Sequence, residues 1–429
     1  MNLVVEKSEG LEGTIKIPAS KSHTIRGIVI ASLAKGISVL ENPLYSEDTK
    51  AAIEGCRTLG ATIHEKRNKL EIAGFDGKPK SYENLEIIIN TLNSGTTTNL
   101  LAGAAALGNS KFRIIGDESV NKRPVQPLIK SLNDLGAKAY VFGFNGCPPI
   151  TVKGPLKGGK TTIDAKSSQY LSSLLIACPL AKKDSIITAE NVCETPYILM
   201  TIKWLRGQNI KFKFTSDYKN YKIDGRQKYH AFEKKIPSDW SSAAFLIAAA
   251  STIDNSNIFL KGLDIKDSQG DKTIVDYIKS MDGNIAVEKK GMRIQYSKLK
   301  GTVLDLNNTP DLLPIMAVLG CYAEGKTELI NVANARLKET DRIKVTCEEL
   351  SKMGAKIKET ENGLVVEKSN LKGANLKGHY DHRVVMALSV AGMFADGETT
   401  IDNAEAINVT FPNYIEMMKN LGAKMDYLK

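Results

Sequence analysis

The stretch Leu59-Gly60-Ala61-Thr62-Ile63 is the first of six similar phrases that recur along the 429-residue chain. The second residues of the phrases lie 76, 71, 75, 72 and 68 positions apart, a period too long for a solenoid repeat. In several phrases an apolar-periodic helix pattern precedes the glycine and an alternating strand pattern follows it. We therefore expect the glycine to end a helix in the left-handed conformation. The other five phrases begin at Leu135, Arg206, Met281, Met353 and Leu421.

A second series of short polar clusters lies about 40 residues before the phrases, where small-residue apolar helices are predicted to begin. Serine and aspartate before an apolar run are helix N-cap signals, and proline suits a first turn. A strand pattern such as Thr327-Glu328-Leu329-Ile330 separates successive helices. Each repeat is thus predicted to run strand, helix, strand, helix, strand, strand, and six repeats fill the chain. The clusters begin at Ser20, Ser94, Ser167, Asp239, Pro310 and Asp381.

These six clusters carry unlike polar residues, although a purely structural repeat would use the same cap each time. Helix N-termini that converge offer unpaired N–H groups and partial positive charge, each contributing about 0.3–1 kcal/mol to holding an anion. The series therefore predicts a site that favours phosphate and carboxylate groups.

The composition indicates a folded, water-soluble chain, because 42% of residues are apolar and 25% are charged. No apolar stretch reaches the roughly 20 residues of a bilayer span, and the N-terminus lacks the pattern of a secretion signal. We therefore expect a cytoplasmic location. The six cysteines form no C-x-x-C pair and are expected to be reduced, and the five histidines show no helical ligand spacing, so no metal is expected.

The charge balance favours small anionic substrates over nucleic acid. The chain has 58 Lys+Arg against 48 Asp+Glu, a net charge of +10, and the excess is spread along the chain. It carries no basic tail and no nucleic-acid-binding motif, so we expect neither nucleic acid nor a membrane as a partner.

Six segments of the chain carry a resemblance when they are taken together and in order. The segments are residues 17–26, 93–97, 122–124, 167–171, 336–342 and 381–383. They resemble the signature segments of the 5-enolpyruvylshikimate-3-phosphate synthase family. No single segment decides the matter, but all six occur in register between about residue 10 and residue 415.

The resemblance implies an α/β fold with two domains, an inside-out α/β barrel in which helices pack inside and sheets outside. Six βαβαββ repeats are expected, three in each domain. The first domain is expected to comprise residues 1–20 with 237–429, and the second residues 21–236. The active site is expected in the cleft between the domains.

The resemblance also implies a reaction. The enolpyruvyl group of phosphoenolpyruvate is transferred to the 5-hydroxyl of shikimate 3-phosphate, with release of phosphate, on the way to chorismate and aromatic amino acids. This chemistry needs a base, an acid and cations that neutralise two anionic substrates, and no cofactor. The protein is expected to be a monomer.

The family's functional residues can be carried over position by position. The resemblance assigns catalytic roles to Asp311, which can accept the hydroxyl proton, and to Glu339 and Lys21, which transfer protons. Arginine suits carboxylate and phosphate because its planar fork can donate two parallel hydrogen bonds. Phosphoenolpyruvate is expected to be bound by Lys21, Gly95, Arg123, Gln169, Arg342 and Arg383. Shikimate 3-phosphate is expected to be bound by Lys21, Ser22, Arg26, Ser167, Ser168, Gln169, Tyr197, Asp311, Asn334 and Lys338.

Three positions depart from the family pattern and leave alternatives open. Asn99 and Val409 stand where many members have a cation, and Glu194 stands where a serine often contacts the acceptor phosphate. A carboxylate beside a bound phosphate would be repelled by several kcal/mol at low effective dielectric. Either Glu194 turns away, or a nearby lysine compensates, or the acceptor differs.

Two other functions compete with the main interpretation. An enolpyruvyl transferase acting on UDP-N-acetylglucosamine would share the fold, but its mobile loop carries a reactive cysteine. The corresponding loop here, residues 116–124, contains none. A binding protein that kept the fold and lost activity is disfavoured by the presence of Lys21, Asp311 and Glu339.

Overall fold

The computed structural model describes residues 1–82 and 85–428. Contacts divide the chain into two compact units. The first unit comprises residues 1–18 and 237–429, and the second comprises residues 19–236. Each unit has its own continuous hydrophobic core.

The strands are short, as expected for small repeats joined by tight connections. In chain order they are β1 Leu3–Val5, β2 Glu12–Lys16, β3 Ile37–Glu41, β4 Thr62–Lys66, β5 Lys69–Ala73, β6 Glu86–Asn90, β7 Lys111–Ile115, β8 Lys138–Val141, β9 Ile150–Lys153, β10 Gly159–Asp164, β11 Ser185–Glu190, β12 Phe212–Phe214, β13 Asn220–Ile223, β14 Glu233–Lys235, β15 Asn257–Lys261, β16 Asn284–Glu288, β17 Gly291–Gln295, β18 Val303–Asp305, β19 Lys326–Ile330, β20 Lys356–Thr360, β21 Gly363–Glu367, β22 Asn375–Leu376, β23 Thr399–Ile401 and β24 Met425–Tyr427.

The α-helices alternate with the strands. They are α1 Lys21–Leu33, α2 Glu47–Leu59, α3 Gly95–Ala105, α4 Gln126–Asp134, α5 Ser168–Ala177, α6 Thr195–Gly207, α7 Trp240–Thr252, α8 Ile274–Ser280, α9 Leu313–Tyr322, α10 Arg342–Lys352, α11 His382–Gly392 and α12 Tyr414–Asn420. Short 3₁₀ segments stand at several connections, including Pro310–Leu312, Ala333–Leu337 and Ala404–Val409.

The strands of the described residues form six four-stranded sheets, which share one arrangement of parallel and antiparallel neighbours. In the repeat β6-α3-β7-α4-β8-β9, strands β6 and β7 are parallel, and β9 pairs antiparallel with both β7 and β8. Parallel neighbours need a crossover, which the helix supplies, and the last two strands return as a hairpin. The predicted order of elements and the predicted α/β fold class are confirmed.

Three sheets are completed by a strand from a distant part of the chain. Strand β14 lies beside β3 as the first strand of that sheet, and β2 lies beside β15 in the same way. Strand β1 lies between β23 and β24. The N-terminal segment therefore closes sheets of the first unit, and residues 233–235 close a sheet of the second.

Three helices in each unit are buried on nearly all sides. They are α1, α3 and α5 in the second unit and α7, α9 and α11 in the first. Small residues permit this packing. A Cβ on Gly103 of α3 would lie 2.5 Å from the Ser173 Oγ of α5, so glycine is required for the close approach of these helices. The N-termini of these buried helices position the candidate site residues.

The predicted glycine helix stops are right at four phrases and wrong at two. Asn209 and Asp282 adopt the left-handed conformation at the two exceptions, with φ of 55° and 66°, and Gly207 is the last residue of α6. Asparagine and aspartate tolerate this conformation because their short polar side chains can hydrogen-bond locally. The four left-handed glycines are Gly60, Gly136, Gly354 and Gly422.

The described residues contain neither a helix that could span a membrane nor a disulfide bond. In residues 1–82 and 85–428, no helix combines the length and apolar character needed to cross a membrane. All six cysteines are free thiols.

Candidate active site

Five of the six polar clusters cap a buried helix with a side-chain oxygen. The caps are Ser20, Ser94, Ser167, Asp239 and Asp381. The sixth cluster differs, because Pro310–Leu312 forms a 3₁₀ turn and α9 begins directly after it. The carboxylate of Asp311 is therefore available for other partners.

In the first unit, Asp311 is surrounded by cations. Its Oδ1 lies 2.7 Å from Arg342 Nη1, and its Oδ2 lies 3.0 Å from Arg383 Nη2. Lys338 Nζ is 3.8 Å from Oδ1. The predicted site residues Asp311, Arg342, Arg383 and Lys338 are thus in direct contact.

Arg342 joins three carboxylates and is completely buried. Besides Asp311 it binds Glu339, whose Oε2 lies 2.5 Å from Nη2. It also forms a two-pronged pair with Asp381, from Nε to Oδ2 at 2.8 Å and from Nη2 to Oδ1 at 3.1 Å. Such bidentate pairs fix geometry as well as charge. Arg342 therefore holds Asp311 and Glu339 on one guanidinium.

These contacts set the protonation of the cluster. Burial alone would raise the pKa of Asp311, but Arg383, Lys338 and Arg342 outweigh burial and hold that pKa well below its usual range. Burial would lower the pKa of Arg342, but Asp381, Glu339 and Asp311 raise it above its usual range. Asp311 is consequently ionised at neutral pH while the three cations face it.

Asp271 is a fourth carboxylate of this cluster. It is fully buried, accepts a hydrogen bond from Ser241 and lies 3.9 Å from Arg383 Nη1. Burial, followed by the charge of Asp311, raises the pKa of Asp271 above its usual range. The first unit therefore concentrates acidic groups around two arginines.

Asn334 lies on the 3₁₀ segment Ala333–Leu337, which packs against Pro310–Leu312. The residue is 9% exposed. Within the described part of the chain, neither polar atom of its side-chain amide has a hydrogen-bond partner. A buried amide with open donors and acceptors is costly unless a ligand satisfies it, which fits the predicted role in substrate binding.

In the second unit, Lys21 begins α1 and pairs with a buried carboxylate of α2. Its Nζ lies 3.0 Å from Asp48 Oδ2, and the two side chains are 14% and 4% exposed. Thr97 of α3 donates a hydrogen bond to the backbone carbonyl of Asp48, at 3.3 Å. The lysine is therefore fixed by packing among three helices.

The glycine at the start of α3 makes room for an arginine. A Cβ on Gly95 would lie 2.7 Å from Arg123 Nη1, so only glycine lets the guanidinium lie over this helix N-terminus. Arg123 Nη2 donates to Ser119 Oγ at 2.7 Å and to Asn93 Oδ1 at 3.2 Å. These contacts place the guanidinium of Arg123 beside the backbone N–H groups at the N-terminus of α3.

Gln169 connects the start of α5 to α3. Its Nε2 donates to Thr96 Oγ1 at 3.1 Å, and its Oε1 accepts from Asn99 Nδ2 at 2.9 Å. Asn99, one of the three departures from the family pattern, thus orients a predicted ligand residue. Val409, another departure, is 5% exposed and is the last residue of the 3₁₀ segment Ala404–Val409, which contacts α11.

Arg26 is buried at 1% exposure and donates to groups on three helices. Its Nη1 bonds to the Ser22 carbonyl at 3.1 Å and its Nη2 to the Tyr197 carbonyl at 3.4 Å. Thr201 Oγ1 and Ser172 Oγ accept from Nε and Nη2 at 2.9 and 3.3 Å. Burial lowers the pKa of Arg26 to about 10, against the opposing effects of Tyr197 and Glu194.

The third departure, Glu194, points inward and not away from the site. Its Oε2 accepts from Ser168 Oγ at 2.7 Å and from the Ser168 backbone N at 3.3 Å. Ser167 caps the same helix by accepting from Gln169 N at 3.4 Å. Ser167 and Ser168, predicted to bind shikimate 3-phosphate, therefore lie together at the N-terminus of α5, with the Glu194 carboxylate beside them.

Some groups that contact predicted site residues within each unit were not themselves predicted. Asp48, Asp271 and Asn99 each contact a predicted residue, yet they come from other elements of the fold. Asp381 was predicted as a helix cap and as part of the family segment 381–383, without a binding or catalytic role, but it also anchors Arg342. An aspartate in the first turn of a predicted helix was the one signal that could have marked Asp48.

One cluster of two glutamates and a histidine resembles a metal site, but its central carboxylate is already paired with a lysine. Glu348, Glu349 and His379 offer ligand atoms within 4.8 Å of one another. Both oxygens of Glu349, however, accept hydrogen bonds from Lys352, at 2.7 and 2.8 Å. The ammonium group of Lys352 therefore already neutralises the Glu349 carboxylate.

Comparison with known proteins identifies the family. The family model "EPSP synthase (3-phosphoshikimate 1-carboxyvinyltransferase)" matches residues 5–418. The chain is 46% identical to 3-phosphoshikimate 1-carboxyvinyltransferase of Acetivibrio thermocellus, with 99% of both chains covered. It is 41% identical to the Methanocaldococcus jannaschii protein of that name, again with 99% of both chains covered.

Solved structures agree with this result. An EPSP synthase from Acinetobacter baumannii superposes with a TM-score of 0.84 at 25% identity, and all of both chains is covered. The family predicted from six sequence segments is confirmed. The chain belongs to the EPSP synthase (3-phosphoshikimate 1-carboxyvinyltransferase) family.

Proposed function

We propose that this protein transfers the enolpyruvyl group of phosphoenolpyruvate to the 5-hydroxyl of shikimate 3-phosphate. The hydroxyl loses its proton, a C–O bond forms to the enolpyruvyl carbon, and the C–O bond to phosphate breaks. The products are the enolpyruvyl ether and inorganic phosphate. The step belongs to the shikimate pathway, which leads to chorismate and the aromatic amino acids.

One observation carries this proposal. Arg342 holds Asp311 and Glu339 together, at 2.7 and 2.5 Å. The reaction takes one proton from the acceptor hydroxyl and adds a proton to the methylene carbon, which loses a proton again when phosphate leaves, so two carboxyl groups in one cluster suit it. We assign Asp311 to the hydroxyl proton and Glu339, with Lys21, to the other transfers.

Substrate charge would adjust the basicity of Asp311. Arg383 and Lys338 hold the pKa of Asp311 low while they face it. An anionic substrate competes for the same cations, and the carboxylate then loses part of its stabilisation. Binding of the ligand thus raises the pKa of Asp311 toward the range in which a carboxylate can take up a proton.

The second unit supplies binding groups to the proposed reaction. Arg123, beside the N-terminal amides of α3, suits the carboxylate or phosphate of phosphoenolpyruvate. Ser22, Arg26, Ser167, Ser168, Gln169 and Tyr197 are assigned to shikimate 3-phosphate, and Asn334 and Lys338 of the first unit are assigned with them. No cofactor or metal takes part in the proposal.

We further propose that the protein acts as a monomer in the cytoplasm, on two small anionic substrates and without nucleic acid or membrane. Six free thiols suit a reducing compartment. Light scattering of the purified protein measures its mass directly, and a dimer mass would contradict the proposed monomer.

Phosphate release tests the proposed function. The purified protein is mixed with phosphoenolpyruvate and one acceptor at a time: shikimate 3-phosphate, shikimate or UDP-N-acetylglucosamine. We expect sustained release with shikimate 3-phosphate and none with UDP-N-acetylglucosamine. Absence of release with shikimate 3-phosphate at high concentration would contradict the proposal, and release with only another acceptor would reassign it.

A further inference from the structure

Glu194 is a buried carboxylate that lies on the N-terminus of a helix to which it does not belong. It is 2% exposed and precedes α6 in the left-handed conformation, with φ of 54°. Its Oε2 accepts from both the backbone N–H and the hydroxyl of Ser168, the first residue of α5. An anion thus already occupies this helix start.

The donors that Glu194 uses are those that a phosphate oxygen would use. A backbone N–H at a helix N-terminus and a serine hydroxyl suit an anion of either kind. The buried guanidinium of Arg26 adds positive charge, and Glu194 acts electrostatically on it. Carboxylate and phosphate therefore compete for one set of donors and one positive region.

We propose that Glu194 determines the specificity of the acceptor site, because its carboxylate fills the anion position at α5 and weakens binding of an acceptor phosphate there. This inference rests on the proposed function for the identity of the acceptor. The phosphate must displace the carboxylate from Ser168 or bind beside it. If the phosphate displaces the carboxylate, it only takes over the donors of Ser168, and little affinity is gained. If it binds beside the carboxylate, the two negative charges repel each other.

The proposal predicts that Glu194 affects the binding of shikimate 3-phosphate and of shikimate differently. The phosphate of shikimate 3-phosphate opposes Glu194, whereas unphosphorylated shikimate lacks this group and carries only the carboxylate that both compounds share. Glu194 should therefore reduce the preference for the phosphorylated over the unphosphorylated compound. A purely structural role for Glu194 would affect both compounds alike, so the ratio of the two affinities is diagnostic.

The substitution Glu194→Gln removes the charge and keeps the size of the side chain. Its amide oxygen can still accept from Ser168, and its amide N–H₂ can donate to a phosphate. Glu190→Gln is the matched control, because Glu190 is exposed at the end of β11, four residues earlier. Glu194→Ser is a second variant that removes the carboxylate and supplies a short hydroxyl donor.

Calorimetric titration of shikimate 3-phosphate, shikimate and inorganic phosphate tests the proposal. We expect Glu194→Gln to bind shikimate 3-phosphate about tenfold or more tightly than the wild type, because relief of like-charge repulsion exceeds 1.4 kcal/mol. Binding of shikimate should change by less than about twofold, as should every affinity of Glu190→Gln. In turnover assays, KM for shikimate 3-phosphate should fall and KM for phosphoenolpyruvate should stay unchanged.

Equal or weaker binding of shikimate 3-phosphate and of inorganic phosphate by folded Glu194→Gln would overturn the proposal. So would an equal gain for shikimate. If the wild type does not turn over shikimate 3-phosphate, the proposed function fails, and inorganic phosphate alone decides the role of Glu194. If Glu194→Gln does not fold, Glu194→Ser is titrated in its place, with the same expected direction and the same contradictory outcome.

Discussion

The two units share one repeat but place different groups at the N-termini of their buried helices. In the first unit, Asp311 and Asp381 stand before α9 and α11 and are bound by arginines. In the second unit, α3 and α5 begin with Gly95, Ser168 and Gln169, which offer amides and hydroxyls. The same backbone thus supports a network of paired charges at these helix starts in the first unit. In the second unit it supports amide and hydroxyl donors, of which those of Ser168 are bound by Glu194.

This difference implies a division of labour. Charged groups held on a shared guanidinium suit proton transfer, because their geometry and protonation are fixed before a ligand arrives. Neutral donors and a fork of arginine suit ligand binding. Substitution of Asp311 in the first unit should therefore lower kcat, and substitution of Arg123 in the second unit should weaken binding.

The largest effect is expected from Asp311→Asn. The amide cannot accept the hydroxyl proton, so kcat should fall by about 10²–10⁴-fold, the usual contribution of a general base. Steady-state phosphate release measures this change. Asp276→Asn, an exposed aspartate on α8, is the control and should leave kcat unchanged. A loss in Asp311→Asn that appears only in KM would contradict the division of labour.

The next effect concerns Arg123→Lys in the second unit. Lysine cannot make the two-pronged contact, so binding of phosphoenolpyruvate should weaken by about 10–100-fold, as expected for loss of a hydrogen bond to a charged group. Titration of phosphoenolpyruvate measures the affinity. Arg67→Lys, on an exposed turn of the same unit, serves as the control. Unchanged affinity with a lower kcat would reverse the assignment of Arg123.

A stability measurement tests the contacts of Glu349 in the first unit. Glu349 of α10 is buried, and it accepts hydrogen bonds from His379 at 2.8 Å, Lys352 at 2.7 Å and the Lys377 backbone at 2.9 Å. Burial alone would raise its pKa, but His379 and Lys352 outweigh burial and lower that pKa from 4.5 to about 2. These contacts hold the segment that precedes α11.

Glu349→Gln should therefore lower the free energy of unfolding by about 2 kcal/mol at pH 7. Because the folded pKa lies below the unfolded one, this stabilisation is present above about pH 4.5 and is lost as pH falls toward 2. Denaturant unfolding at pH 7 and pH 3.5 measures the difference. Glu348→Gln, the exposed neighbour, is the control. A difference that grows as pH falls would contradict the account of this cluster.

The smallest effect is expected from Asn99→Ala in the second unit. Gln169 would lose the donor that orients its side chain, and binding of the substrates should weaken by about three- to tenfold, the value of one hydrogen bond. Substrate titration measures this change, with exposed Asn370→Ala as the control. A loss of stability without a change in affinity would assign Asn99 a structural role only.

Most of the fold could be predicted because its causes are local. Glycine stops, helix caps and alternating strands recur at a fixed period, and each is encoded by adjacent residues. The pairing of β1, β2 and β14 with distant strands depends on the whole fold, and no local pattern indicates it. The left-handed residues Asn209 and Asp282 were missed because a glycine within two residues of each, Gly207 or Gly283, was expected to end the helix instead.

The candidate site could likewise be predicted only in part. Residues at helix starts could be identified from capping patterns and from the family resemblance, whereas their partners come from other elements. Asp48 contacts Lys21 only because α2 packs beside α1, and Asp271 approaches Arg383 only in the folded unit. The direction of Glu194 was left open by the sequence, since a side chain's orientation depends on packing.

One comparison tests the division of labour most directly: single-turnover rates of Asp311→Asn and Arg123→Lys at saturating concentrations of both substrates. Saturating substrate concentrations compensate for weaker binding but not for a slower chemical step. We predict that Arg123→Lys regains a rate within about threefold of the wild type, while Asp311→Asn remains about 100-fold slower or more. Recovery of Asp311→Asn at saturation, or a persistent loss in Arg123→Lys, would contradict the account.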